Sequence, residues 1–208
     1  MTELFAETQD GVALAERDSL RRLGMMVFLA SEAMLFAGMF TLYAAGRIRH
    51  PQAFADGVDH NLRWVGTANT YVLLTSSWCI AMAVVRLRSG SRRSALLLVS
   101  ATMLLGLLFL GLKGYEYQWH LAEGDGPMAV ARHDPGIALF MGLYWLMTGT
   151  HALHVIAGLI FLGYVAWRVA YRQANDRLLE VAAWYWHLVD LIWVFIWPLF
   201  YLLGRVSR

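Results

Sequence analysis

The chain has 208 residues, 59% of them hydrophobic and 15% charged, with a mean hydropathy of +0.49, whereas soluble proteins hold about 45–50% apolar and about 25% charged residues. This composition excludes a disordered chain and a water-soluble globule and points to a helical bundle in lipid. The formal net charge of +2 arises from sixteen Arg and one Lys against fifteen acids, with no basic run long enough to form a nucleic-acid surface. The single cysteine, Cys79, lies inside an apolar block, which leaves no disulfide framework, no Cys-x-x-Cys pair and no Cys-x-x-Cys-His haem attachment.

Residues 1–22 are polar and acidic before they turn basic, and they lack the short apolar core and small-residue cleavage site of a signal peptide. They read as a cytoplasmic N-terminal segment on the membrane surface. Residues 23–208 read as one transmembrane domain of five helices, because each apolar block reaches the ~20 residues needed to cross ~30 Å of hydrocarbon. The expected spans are about 23–46, 64–85, 94–116, 137–167 and 181–203. The fourth is too long to stand upright and must tilt or project, most simply near Pro135-Gly136. Between the spans lie turn sequences at His50-Pro51, Arg88 to Ser91, Gly124 to Pro127 and Asp134 to Gly136.

Arginine placement orients the bundle, since cytoplasmic flanks collect Lys and Arg. With the N-terminus inside and the C-terminus outside, the inner segments hold Arg17, Arg21, Arg22, Arg86, Arg88, Arg92, Arg93, Arg168, Arg172 and Arg177. The outer ones hold Arg47, Arg49, Arg63, Arg132, Arg205 and Arg208. On the first span, Ala33, Ala37 and Thr41 recur every four residues and predict a seam of close helix contact.

An ionisable side chain within a span is costly unless it finds a partner or water. Seven qualify: Glu32, Lys113, Glu116, His151, His154, His187 and Asp190. Lys113 and Glu116 fall at the outer end of the third span, near Asn69 and Thr70, and are expected to pair where interfacial water reaches them. The rise of ~1.5 Å per residue places Glu32 ~12 Å, His187 ~9 Å and Asp190 ~13 Å from the inner ends of their spans, so these three can meet at one depth. Glu32 then reads either as a proton-relay carboxylate or as an acid bonded to a neighbouring helix or a lipid headgroup. His187 and Asp190 are one turn apart and can clamp each other, as a structural contact or as an acid/base pair.

His151 and His154 also share a helix face. Two imidazoles at this spacing suit metal or haem ligation, or else a pair of helix-contact histidines bonded to neighbouring spans. His187 is displaced by ~10 Å along the membrane normal from His154, which does not suit a shared haem, and no catalytic or metal-binding set is assigned. A transporter lined by Glu32, His187 and Asp190 lacks the paired Pro- and Gly-broken helices of a midplane substrate site. The aromatic cluster Trp184, Tyr185, Trp186, Trp193 and Trp197 reads as interface and packing material.

Five stretches together resemble subunit III of the haem–copper cytochrome oxidases. They are Ser31–Phe40 (SEAMLFAGMF), Asn69–Ser77 (NTYVLLTSS), Lys113–Tyr117 (KGYEY), Thr148–Gly158 (TGTHALHVIAG) and Ala182–Trp193 (AAWYWHLVDLIW), in family order. The resemblance covers about residues 23–203. It implies an accessory subunit of a proton-translocating, respiratory cytochrome c oxidase. Such a subunit packs against subunits I and II, which hold the haems and copper, and carries no cofactor or catalytic centre of its own. It also implies bound phospholipid in a cleft between helices and a role in keeping proton uptake fast and subunit I stable during aerobic electron transport. Glu32 matches the family's buried carboxylate; His151, His154, His187 and Asp190 match its internal polar network. Longer members have seven spans, and this chain lacks the first two, as bacterial inner-membrane versions do. A similar five-span accessory protein of nitric oxide reductase shares the Thr75-Ser-Ser-Trp78 and Trp186-His-Leu-Val-Asp190 stretches and is the alternative assignment, ahead of a haem-binding membrane cytochrome.

Overall fold

A computed structural model describes residues 2–127, 134–171 and 176–204, with backbone only for residues 2–19 and 21. Arg132, Arg172, Arg205 and Arg208, and the side chains of Arg17 and Arg21, which entered the orientation argument, lie outside the described residues. The described residues form six helices in the order α1 Thr2–Arg49, α2 Pro51–His60, α3 Arg63–Arg88, α4 Arg92–Glu123, α5 Pro135–Ala170 and α6 Asp176–Tyr201. Five of them, all but the ten-residue α2, are long and apolar enough to cross a membrane. The chain is an all-α, multi-pass membrane bundle.

Helices α3 to α6 pack around one another, α1 lies against α5 and α6, and α2 is wedged among α1, α5 and α6. The α2 helix is an addition to the expected spans. Its signals are present in the sequence: Pro51 opens the first turn, where its missing N–H costs nothing, and Phe54 and Val58, both buried, lie one turn apart. The helices also outrun the expected apolar blocks. The α4 helix continues to Glu123, where Gly124 takes a left-handed φ of 86°, a conformation that glycine adopts without strain.

Two ends of the bundle are tied by polar contacts. At one end Arg88 of α3 reaches Glu180 of α6 at 2.8 Å. At the other, the last carbonyls of α6, which have no partner within the helix, are capped from elsewhere. Tyr43 Oη donates to Leu199 O at 2.5 Å and Asn61 Nδ2 to Phe200 O at 2.8 Å, and just past the helix Arg47 Nη2 donates to Leu203 O at 2.6 Å. Side chains from α1 and the α2–α3 junction thereby fix the end of α6 and the position of Tyr201.

The Ala33, Ala37, Thr41 seam does not pack within the chain: all three are exposed. The face of α1 that meets α5 and α6 instead carries Glu32, Phe36, Met39 and Tyr43, the last three buried. Large aromatic rings fill the space beside α5 and α6, and the small residues face outward with Met34, Leu35 and Leu42.

Candidate functional site

The costly polar residues resolve into a sealed network, a half-open pair and a set of single contacts. The sealed network lies in the α4–α5–α6 core. Lys113 Nζ has three N–H donors, and all three are used: Glu116 Oε2 at 2.9 Å, Tyr144 Oη at 3.0 Å and Tyr201 Oη at 2.7 Å. Tyr201 Oη in turn donates to Glu116, 2.8 Å from each carboxylate oxygen. Rings close around the ammonium at 4.6 Å for Tyr144, 5.1 Å for Tyr117, and 5.5 Å for Trp193 and Tyr201, where aromatic faces attract a cation.

The expected Lys113 and Glu116 pair therefore forms, but its surroundings differ from the expectation. Lys113 is 1% exposed and Glu116 0%, so no interfacial water reaches them. The reason is Tyr201, whose ring is laid over Gly66 of α3. A Cβ at Gly66 would come within 2.6 Å of that ring, so only glycine lets α6 bring a phenol over the ion pair. Asn69 and Thr70 do not supply water either: both are buried, and Thr70 Oγ1 accepts from Trp193 Nε1 at 3.1 Å.

The half-open pair joins α1 to α5. Glu32 Oε2 lies 2.8 Å from His154 Nε2, with both side chains 17% exposed. His154 Nδ1 lies 2.8 Å from the Thr150 carbonyl, and because a carbonyl only accepts, Nδ1 carries a proton. Nε2 then either accepts a proton held by Glu32 or donates as part of an imidazolium facing a carboxylate. The pair is neutral overall in both arrangements, and a single proton between Oε2 and Nε2 distinguishes them. The ring of Phe36 flanks His154 at 5.5 Å, and Tyr185 Oη donates to the His154 carbonyl at 3.0 Å.

The structure corrects three sequence expectations. Glu32 does not meet His187 and Asp190; its partner is His154. The His187–Asp190 clamp does not form, because His187 Nδ1 lies 2.7 Å from Ser77 Oγ of α3. Asp190 faces that same Ser77 without completing a hydrogen bond, and among the described residues neither of its carboxylate oxygens has one. His151 and His154 share a helix side but diverge. His151 is 0% exposed and lies between Phe109 at 5.5 Å and Trp193 at 5.1 Å, and neither ring nitrogen has a hydrogen-bond partner among the described residues.

The aromatic cluster does more than pack. Trp186 of α6 donates through Nε1 to Ser76 Oγ at 3.0 Å, and its six-membered ring fits against Gly158 of α5, where a Cβ would come within 2.9 Å. Sequence reading missed Tyr144, Tyr201 and His120. The tyrosines look like interface aromatics, and only their positions, about two turns before His151 on α5 and about three turns after Asp190 on α6, hint at inward hydroxyls. His120 lies four residues beyond Glu116, on the same buried face of a helix longer than the apolar block suggests.

A bundle with five membrane-crossing helices, a closed ionic core and a carboxylate–imidazole pair joining α1 to α5 defines a multi-pass membrane protein. The sequence model of the family described as cytochrome c oxidase subunit III matches residues 8–205, and the chain belongs to that family. It is 33% identical over 194 residues to a cytochrome c oxidase subunit 3 of Thermostichus vulcanus, covering 91% of this chain and 90% of that one. It is 28% identical over 187 residues to a cytochrome bo(3) ubiquinol oxidase subunit 3 of Pseudomonas aeruginosa, covering 88% and 85% of the two chains. A cytochrome c oxidase subunit 3 of Synechocystis is 29% identical over 188 residues, covering 88% and 76%.

Proposed function

We propose that the chain is the accessory, non-redox subunit III of a respiratory haem–copper oxidase. It packs against subunits I and II, whose haems and copper carry out the oxygen chemistry, and it sits in a bacterial inner membrane. Residues 1–22 lie on the cytoplasmic side, residues 23–208 form the transmembrane domain, and the arginine distribution supports an inside N-terminus. The family match over residues 8–205 carries this reading.

Within that role the two ionic groups divide the work. The Lys113 and Glu116 network holds α4, α5 and α6 together. The Glu32 and His154 pair, open to its surroundings and movable by one proton, is the part that meets a phospholipid headgroup or the proton-uptake surface of subunit I. From α6, Tyr185 steadies it through the His154 carbonyl, while His187 bonds Ser77 and ties α6 to α3. A haem ligated by this chain is disfavoured by the same geometry: both nitrogens of His154 are engaged, and aromatic rings press against His151.

Deleting the chain tests this. The haem spectra of the remaining oxidase are expected to persist and initial oxygen consumption to be retained, with activity decaying faster over successive turnovers. Loss of the haems along with the chain would contradict the proposal.

A further inference from the structure

A third cluster of ligand-bearing side chains lies at the α2 end of the bundle, away from the two groups above. His60 closes α2, His120 lies in the last turn of α4, and Asp125 follows the Gly124 cap. His60 Nε2 is 3.0 Å from Asp125 Oδ2, and one ligand atom from each of the three residues lies within 4.8 Å of the other two. No sequence motif links these residues, since His60 on α2 lies sixty positions before the His120 to Asp125 stretch that ends α4.

His120 separates this cluster from an ordinary surface ion pair. It is 0% exposed, packed beside Trp119 at 4.9 Å, Tyr144 at 5.0 Å and His60 at 5.9 Å, and neither of its ring nitrogens has a hydrogen-bond partner among the described residues. A buried polar atom without a partner is costly, so a histidine fixed in this position calls for something to bond. His60 and Asp125 supply the other ligands from the water-facing side, with side chains 42% and 13% exposed. The Asp125 turn is held from both directions: its N–H donates to His120 O at 2.9 Å, and its carbonyl accepts from Trp145 Nε1 at 2.9 Å. Two ligands thus come from one helix end whose geometry is set by Gly124.

We propose that His60, His120 and Asp125 form a binding site for a divalent metal ion of the zinc class, with water in the fourth position. Two imidazole nitrogens and one carboxylate oxygen are the donor set of an open tetrahedral zinc site, with bonds of about 2.0–2.2 Å. Imidazole donors favour zinc and its transition-metal neighbours over magnesium or calcium, which take oxygen ligands. Adjacent ligands on a tetrahedron with such bonds are about 3.4 Å apart. The 3.0 Å edge between His60 and Asp125 needs to open slightly, and the longer edges, up to the 4.8 Å limit, need to close. His60 is the piece free to make that adjustment, being exposed and the last residue of its helix. Zinc has no redox chemistry, so this site is compatible with a subunit that carries no electrons.

The test is Zn2+ titration of the full-length chain, purified in detergent with whatever subunits accompany it and stripped beforehand with a chelator. The wild type is expected to take up one more equivalent of Zn2+ than a His60→Ala, His120→Ala, Asp125→Ala triple variant. Each single variant is expected to bind at least about tenfold more weakly, as even loss of a residue supporting a ligand costs that much. Co2+ bound in place of zinc should give the visible absorption bands of a four-coordinate site, and those bands should vanish in His60→Ala. This exposed substitution keeps the test decisive if His120→Ala does not fold. Equal uptake by wild type and triple variant, or uptake that His60→Ala leaves unchanged, would overturn the proposal.

Discussion

The Lys113 and Glu116 core and the Glu32 and His154 pair solve the same problem in opposite ways. Each places a basic and an acidic side chain within the membrane-crossing part of the bundle, and each is neutral as a unit. In the core, three phenols and an indole close around the charges, every Lys113 N–H is used, and exposure is essentially zero. In the pair, one contact of 2.8 Å joins two helices and both side chains remain partly open. A fully satisfied buried ion pair rigidifies its surroundings. A partly exposed pair that can be rearranged by one proton can respond to what binds beside it. The proposed function assigns holding the bundle together to the first and exchange with lipid or a partner to the second.

The strongest way to break this comparison is to leave one charge uncompensated in the core. Lys113→Met is expected to destabilise the bundle by about 3–5 kcal/mol, the usual cost of removing one partner from a buried pair. In thermal unfolding of the detergent-solubilised chain, Lys113→Met combined with Glu116→Leu should recover most of that loss, because replacing both charges by apolar groups is often near neutral. A double variant no more stable than the single would show that the loss at Lys113 does not come from leaving the Glu116 charge uncompensated.

A smaller effect is expected at Gly66. Gly66→Ala drives a methyl group into the Tyr201 ring, and overpacking of this kind costs about 1–3 kcal/mol. The same change should lower protection of the Lys113 region against hydrogen exchange, since Tyr201 is its lid. Unchanged protection would mean that Tyr201 is not what seals the core.

At the open pair, Glu32→Ala and His154→Ala should each cost about 0.6–1.7 kcal/mol, the range for interhelical hydrogen bonds in membranes. Their double variant should cost little more than either alone, which a double-mutant cycle of melting temperatures would register. Additive losses would show that the two side chains are not coupled. The smallest effect is expected for Ser77→Ala, at about 0.6 kcal/mol, with a change in the His187 imidazole resonances as the more sensitive readout.

Much of the scaffold was legible in the sequence because hydrophobic length is a local property. The five crossing helices follow from runs such as residues 94–116 and 137–167, and Lys113 with Glu116 follows from their spacing on one helix. Partners across helices were not legible. Glu32 meets His154 because α1 lies against α5, and depth arithmetic carried no information about which helices are neighbours. The phenols around Lys113 were missed for the same reason, since Tyr144 and Tyr201 come from other helices and resemble ordinary membrane aromatics. The alanine seam failed because small spacing marks a possible contact face without naming its partner. His120 escaped because α4 stays helical past the end of its apolar block, where Gly124 stops it.

The proposed function gives the Glu32 and His154 pair a task that the sealed core does not share. The most direct measurement of that difference is oxygen consumption followed over many turnovers in complexes carrying Glu32→Gln, or Lys113→Met with Glu116→Leu, beside the wild type. The amide introduced by Glu32→Gln keeps the shape of the side chain and can still donate to His154, so assembly and initial rate are expected to be preserved. The Glu32→Gln complex should lose activity sooner than the wild type, and the core variant should decay at the wild-type rate. Equal persistence of the Glu32→Gln and wild-type complexes would contradict the account.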